Sequence, residues 1–535
     1  MRLVLGERGI PMASKSLFRG AARSAPPTTS LNHAHAPAYG LDSRAALAQL
    51  AATGCFGQTY YVSGREQLDE VLGHAAACDP AYVAEVAVNA RQRGHMKDMP
   101  AVLLAHLTTR GPAGLAAMKA AFPDVVDNGR MLRTFVQVLR SGQLGRKSLG
   151  TAPKKAVQRW LASRSPMQLF RDSVGNDPSL ADVIRMVHPR PASGAQRAMF
   201  GYLLGKAHDA EELPRAVRAF DAFQRGELTG VDALAQMRGV PSRMLTGRPL
   251  GAAEWTFLAT QARWQETRMN LNAYQRHGVF EDPAMVELVA QRLASEAEVR
   301  RAKVFPYQLL VAWKATAGIP PRIQEALQDA MEHAVANVPA IDGRVVICPD
   351  VSGSMAGPIT GHRKGATSAV RCVDVAGLIA ASILRKNRSA RVLPFAHDVR
   401  PFRPNPRDSV MTLADSLAAL CGGGTSCSAP LRTLNRTQAR VDAVIFVSDN
   451  ESWMDAEGRS GWGGTALMEE WTTLKRRNPA AKLVCIDLTP NVHAQSVQRA
   501  DILNVGGFSD AVFDVIAGWV SSSGGLLRKT PARRE

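Results

Sequence analysis

The run RVVICPDVSGS at 344–354 decides the reading of the chain's last third. Arg344 to Pro349 form a short, almost unbroken apolar stretch, of the kind that makes a strand buried on both faces. Asp350, Ser352 and Ser354 follow at once, so one carboxylate and two hydroxyls stand at the strand's carboxyl end. Further downstream, RVLPFA (391–396), VDAVIFVS (441–448) and KLVCIDL (482–488) read as strands, and helices are expected near 369–386, 410–420, 464–477 and 509–520. Alternating apolar strands and helices predict a doubly wound, Rossmann-like α/β domain over 341–525, whose ligands sit at the carboxyl ends of the strands.

Two further segments feed the same end of that sheet. GGGT (422–425) offers the Thr425 hydroxyl on a loop whose glycines permit close backbone approach, and VDAVIFVSD ends in Asp449. Asp350, Ser352, Ser354, Thr425 and Asp449 make an all-oxygen donor set, which suits a hard divalent cation, Mg²⁺, rather than Zn²⁺. The competing reading is that Asp350 and Asp449 only cap strand ends or helix starts. The five positions, in this order, resemble the metal-ion-dependent adhesion site of the von Willebrand factor A family. The resemblance implies an open coordination position that takes an acidic group from a protein partner, in a site that binds and does not catalyse.

Upstream the grammar is different. From about 42 to 335, helix follows helix, with apolar residues three and four apart and short Gly, Pro or Asp breaks; examples are 65–77, 80–93, 99–110, 129–141, 152–163, 212–225, 265–276, 282–294 and 306–317. So many short helices cannot share one bundle core, and stacked antiparallel pairs, an irregular α-solenoid of the HEAT kind, are the economical arrangement. Residues 1–38 read as a mobile leader without a secretory h-region, with Met12 as an alternative start to Met1. The helical domain is assigned to 39–338 and a basic tail to 526–535.

At 535 residues the chain exceeds what a single core fills, and it has no apolar run approaching the roughly 20 residues that cross a bilayer. Seven cysteines are scattered without a CxxC pair, which fits a reducing cytoplasm. Lys and Arg number 65 against 47 Asp and Glu, a net charge of +18. Residues 1–340 carry +12 of it and 341–535 carry +6. An anionic partner, nucleic acid foremost, is expected mainly on the helical part, although a generally basic proteome would also give this excess.

Several helical stretches resemble the TROVE module of Ro proteins, an RNA-binding family. They are WQETRMNLNAYQRHGVF (264–280), VELVAQRLASEAEVRRAKVFPYQLLVAW (286–313), NHAHAPAYGLDSRAALAQLAATGCFGQTYY (32–61), VAVNARQRGHMKDMPAVLLAHL (86–107), KKAVQRWL (154–161) and DVIRMVHPRP (182–191). DVSGSM and SDNESW (448–453) in the α/β part are similar to the family's A domain, and the domain order matches. The resemblance implies an all-α ring of HEAT-like repeats closed by the A domain. It implies small structured, Y-like RNA on the outer basic surface, single-stranded 3′ RNA ends in a central basic hole, and a role in RNA maturation or quality control. The expected partners are a 3′ exonuclease such as polynucleotide phosphorylase and an acidic ligand at the metal; the chain is expected to be a monomer without membrane association.

By the same resemblance, His188 matches an RNA-contacting histidine and Arg171 a basic position one helix earlier, with Arg185 and Arg190 flanking the same turn. The chain departs from the family at Gly175, where a second basic residue is usual. His188 also has a local reading, as a helix C-terminal residue meeting the last carbonyls before Pro189. Arg146 and Lys147, in a Gly-flanked turn, are either phosphate contacts or a solvated loop. An adaptor of a AAA-type ATPase or chelatase, gripping a protein, is the alternative function. No phosphate loop, HExxH or GxSxG is present, and the chain is read as not an enzyme.

Overall fold

The computed structural model describes residues 25–521, except 57, 176–177, 303, 305, 317, 336–337, 362–369, 406, 457–463, 498 and 508–510. The basic tail and both candidate start methionines lie outside the described residues. Nineteen α-helices among the described residues, from α1 (Ser43–Thr53) to α19 (Pro321–Val335), precede the A domain. The sequence marks their starts: Ser63, Ser165 and Ser179 close capping boxes with Glu66, Gln168 and Asp182, and Asp79 caps a helix with Pro80 at its first position. None of the helices is long and apolar enough to cross a membrane, among the described residues.

The α/β domain has five parallel strands: β3 (Val345–Pro349), β4 (Arg391–Val392), β5 (Ala443–Ser448), β6 (Lys482–Asp487) and β8 (Ile502–Gly506). Their order across the sheet is β4-β3-β5-β6-β8. The β3 and β5 strands are buried at every residue, as continuous apolar runs require in a sheet covered on both faces. The β8 strand was not foreseen, because its sequence ILNVG is only partly buried at an edge.

One core joins the last helices to this domain. Leu309, Leu310, Leu327 and Met331 from α18 (Pro306–Ala315) and α19 pack with Ile347, Ile379, Leu413 and Ile445. Polar links run alongside: Lys314 reaches Asp374 at 3.2 Å on α20 (Cys372–Lys386), and Glu332 pairs with Arg385 at 2.8 Å. A separate core fills the earlier helices from Leu47 to Leu245.

The first residues of the helical array meet the same A domain from the other end. Part of the leader assigned to 1–38 is ordered: β1 (Ser30–Leu31) and β2 (Pro37–Gly40) form a hairpin, and β2 pairs antiparallel with β7 (His493–Ala494). Tyr39 enters the core beneath the sheet, its hydroxyl donating to the carbonyl of Pro26 at 2.8 Å, and α1 rests on β8. The hairpin at 30–40 was not expected from sequence, because a short pairing between segments about 450 residues apart leaves no local periodicity to read. A helical array that starts and ends on one domain closes into a ring.

Candidate metal centre and nucleic-acid surface

The carboxyl ends of β3 and β5 bring the five expected ligands to one place. Asp350 leaves β3 with its amide donating to Val447 at 2.9 Å, and its carboxylate accepts from the Ser352 amide at 2.8 Å and the Ser448 hydroxyl at 2.7 Å. Ser352 and Ser354 hydroxyls lie 3.3 Å apart. Backbone bonds from Gly422 to Val351 (2.7 Å) and from Gly353 to Gly423 (2.9 Å) dock the GGGT loop against this turn, carrying buried Thr425 with it. Gly423 holds φ +87°, and a Cβ at Gly424 would strike the Trp453 ring and Met454; the loop therefore needs these glycines.

Asp350 and Asp449 are 0% and 2% exposed. Burial, and then the neighbouring Asp350, push the Asp449 carboxyl well above the usual carboxylate range; burial also raises Asp350. Two carboxylates buried side by side, met by hydroxyls, are the arrangement a divalent cation neutralises. The donor set is oxygen throughout, so the residues present fit Mg²⁺.

Sequence reasoning missed what lies over this centre. The Tyr60–Tyr61 loop from the start of the helical domain roofs a cleft walled by Ser354, Cys372, Asp449 and Asn491, with about 10 Å³ open to water. Tyr61 hydrogen-bonds Ser354, and burial followed by the negative charges of Asp449 and Glu451 raises its phenol. The five candidate ligands thus lie beside a loop of the helical domain. No local pattern reveals this, since the loop and the site are nearly 300 residues apart.

The basic candidates separate into two sets. Arg146 is held by its own turn, donating to the carbonyls of Ser148 (2.9 Å) and Leu149 (2.5 Å) and to the Thr108 hydroxyl (3.3 Å). It lines the larger of two adjoining cavities, of about 770 and 640 Å³, at the start of α7 (Thr151–Ala162). Lys119, Arg140, Lys147, Lys154, Lys155 and Arg159 line them. Gln158 of the same wall donates to the carbonyl of Val187 at 2.6 Å, which places the His188 turn at the border of this surface. His188 itself closes α9 (Leu180–Val187) in a left-handed conformation, φ +50°, its amide donating to Ile184 at 2.9 Å, with the ring exposed. The structure thus places His188 at the helix end with its side chain exposed.

Arg171 and Arg185 stand apart from the cavity linings. Arg171 donates to the carbonyl of Gly239 at 2.7 Å, and Arg185 pairs with Asp182 at 3.0 Å. Arg190 is exposed beyond the turn. The Gly175 departure has a physical cause. Helix α8 (Pro166–Asp172) has already ended, Gly175 sits at φ +112°, and a Cβ there would meet the Arg133 guanidinium at 2.8 Å. That buried arginine donates to the carbonyls of Asp172 and Val174.

Comparison with known proteins agrees with this architecture. A family model described as the Ro60 vWA domain matches residues 344–520. The protein named RNA-binding protein RO60 from Deinococcus radiodurans is 26% identical over 530 residues, spanning 91% of this chain and 94% of that one. Over nearly its whole length the chain is similar to Ro proteins. A second protein of that name, from Caenorhabditis elegans, is 24% identical over 184 residues, 32% of this chain and 28% of that one. The crystal structure of the D. radiodurans RO (RSR) protein superposes with a TM-score of 0.63 at 22% identity, covering 89% of this chain and 99% of that one, and so shares the fold. The helical-repeat ring and its closing von Willebrand factor A domain are therefore those of the Ro type.

Proposed function

We propose that this Ro homologue is an RNA-binding scaffold and not an enzyme. It holds small structured, Y-like RNA on its outer basic surface and single-stranded 3′ ends in the ring, and presents them to a 3′ exonuclease during RNA maturation or quality control. The names of its relatives support RNA as the partner. The observation that carries the reading is the surface at the start of α7, where Lys119, Lys147, Lys154, Lys155 and Arg159 surround two joined cavities without an ion pair among the described residues. Unpaired cations around a concave surface are free to replace the counterions of a phosphate backbone. The helix they surround begins at Gly150 with no side-chain cap, so its first amides also face that space.

Mg²⁺ at Asp350, Ser352, Ser354, Thr425 and Asp449 is part of the proposal, as is a cytoplasmic location, which the seven free thiols support. The adaptor reading requires an accessible metal face, and the cover by Tyr60 and Tyr61 counts against it. A titration of the purified monomer with RNAs differing only in a 3′ overhang tests the function. Tight, salt-sensitive binding that requires the overhang is expected; indifference to the overhang overturns the part of the proposal that concerns 3′ ends.

A further inference from the structure

The seam where the N-terminal segment meets the A domain carries a second cluster of ligating atoms, unlike the all-oxygen centre beside it. His33 Nδ1 lies 2.8 Å and His493 Nε2 2.9 Å from the same oxygen, Glu451 Oε1. All three ligand atoms fall within 4.8 Å of one another. They come from three separate pieces of chain: the turn before β2, the loop that follows β5, and β7. Glu451 is fully buried, His493 is 2% exposed and His33 22%. The second carboxylate oxygen accepts from the Ala34 amide at 3.3 Å, which leaves Oε1 as the shared focus.

From this geometry we propose that His33, Glu451 and His493 form a binding site for a borderline transition-metal ion, Zn²⁺ foremost, that clasps the ring shut. Two imidazoles and one carboxylate are a donor set that favours Zn²⁺ over Mg²⁺, and tetrahedral zinc with three protein ligands keeps its fourth place for water. A neutral imidazole that now donates to Glu451 would carry its proton on the other ring nitrogen and turn the freed lone pair to the metal, whereas a protonated ring would first lose one proton to water, so uptake weakens at acid pH. His33 belongs to the N-terminal segment, while Glu451 and His493 belong to the A domain. The ion would therefore bond across the junction where β2 pairs with β7. By linkage, a ligand held only when both sides meet stabilises the closed ring. The proposal does not depend on RNA binding.

The test uses the full-length chain saturated with Mg²⁺, exposed to Zn²⁺, desalted and assayed for metal, with hydrogen exchange followed over 30–40. One Zn²⁺ per chain is expected in the wild type and in Asp350→Ala. His33→Ala and Glu451→Gln should lose it, with affinity down at least tenfold. Zn²⁺ should slow exchange in the β1–β2 hairpin of the wild type and leave His33→Ala unchanged. His33 is partly exposed on a turn, so its alanine variant keeps the fold even where a change at buried Glu451 does not. No retained zinc, or equal zinc in wild type and His33→Ala, overturns the proposal and leaves a hydrogen-bonded triad. So does zinc that is lost with Asp350 and kept without His33, which would place the ion at the acidic centre.

Discussion

At Asp449 two effects oppose each other, and their balance is measurable. Without a cation, burial and Asp350 make its ionised form costly. Asp449→Asn should therefore raise the stability of the protein in chelator by about 1 kcal/mol or more, while Mg²⁺ affinity falls at least tenfold. Thermal melts with and without Mg²⁺ read both. Because the carboxyl must ionise to bind, Mg²⁺ affinity in the wild type should rise with pH. Asp487, buried near the seam, provides a second check: burial raises its carboxyl to about 7, against hydrogen bonds from Asn491, Thr489 and Asn450. Its folded value is higher than its unfolded one, so the folded state holds the proton more tightly. The associated stability is full below about pH 4, falls as pH rises, and is gone above about pH 7. Urea unfolding with saturating Mg²⁺ should show that slope in the wild type and a flatter one in Asp487→Asn.

Among the elements, the start of α7 joins local strain to the basic surface. Gly150 holds φ +73°, and a Cβ there would run into the Arg146 guanidinium that ties down the preceding turn. Gly150→Ala should cost about 1–2 kcal/mol in stability and loosen the Lys147 loop, lowering RNA affinity several-fold in a binding titration. Elements of this kind were legible in sequence. The expected helix over 152–163 is 151–162, that over 282–294 is 283–294, and the strands at 344–349 and 482–488 are each found within a residue. Apolar periodicity and capping residues are local signals, and they fix local structure. The juxtaposition of the five candidate metal positions was legible for the same reason, since each stands just after a strand or a glycine loop. The Tyr61 cover, the β2–β7 pairing and the His33–Glu451–His493 cluster were not, because each joins segments more than 200 residues apart. Of the RNA candidates, Arg146 and Lys147 lie on the basic cavities, whereas Arg171 bonds to Gly239 and Arg185 to Asp182.

In the whole molecule, the A domain has two jobs that meet at one edge. It is the piece onto which both ends of the helical array dock, and it carries the candidate metal centre beneath the Tyr60–Tyr61 loop of one end. The larger part of the positive charge lies on the other domain. On the proposed function, metal binding and RNA binding should be separable: Asp350→Ala should abolish Mg²⁺ uptake and leave RNA affinity within about twofold. The most direct test of RNA binding at the α7 surface is its salt dependence with an RNA carrying a single-stranded 3′ end, compared between the wild type and Lys154→Glu/Lys155→Glu/Arg159→Glu. Each lost phosphate contact should lower the log–log salt slope by roughly 0.7 to 0.9. The triple variant is predicted to lose at least tenfold in affinity at low salt, with a slope reduced by about two; equal affinity and equal slope in the two proteins would contradict RNA binding at this surface.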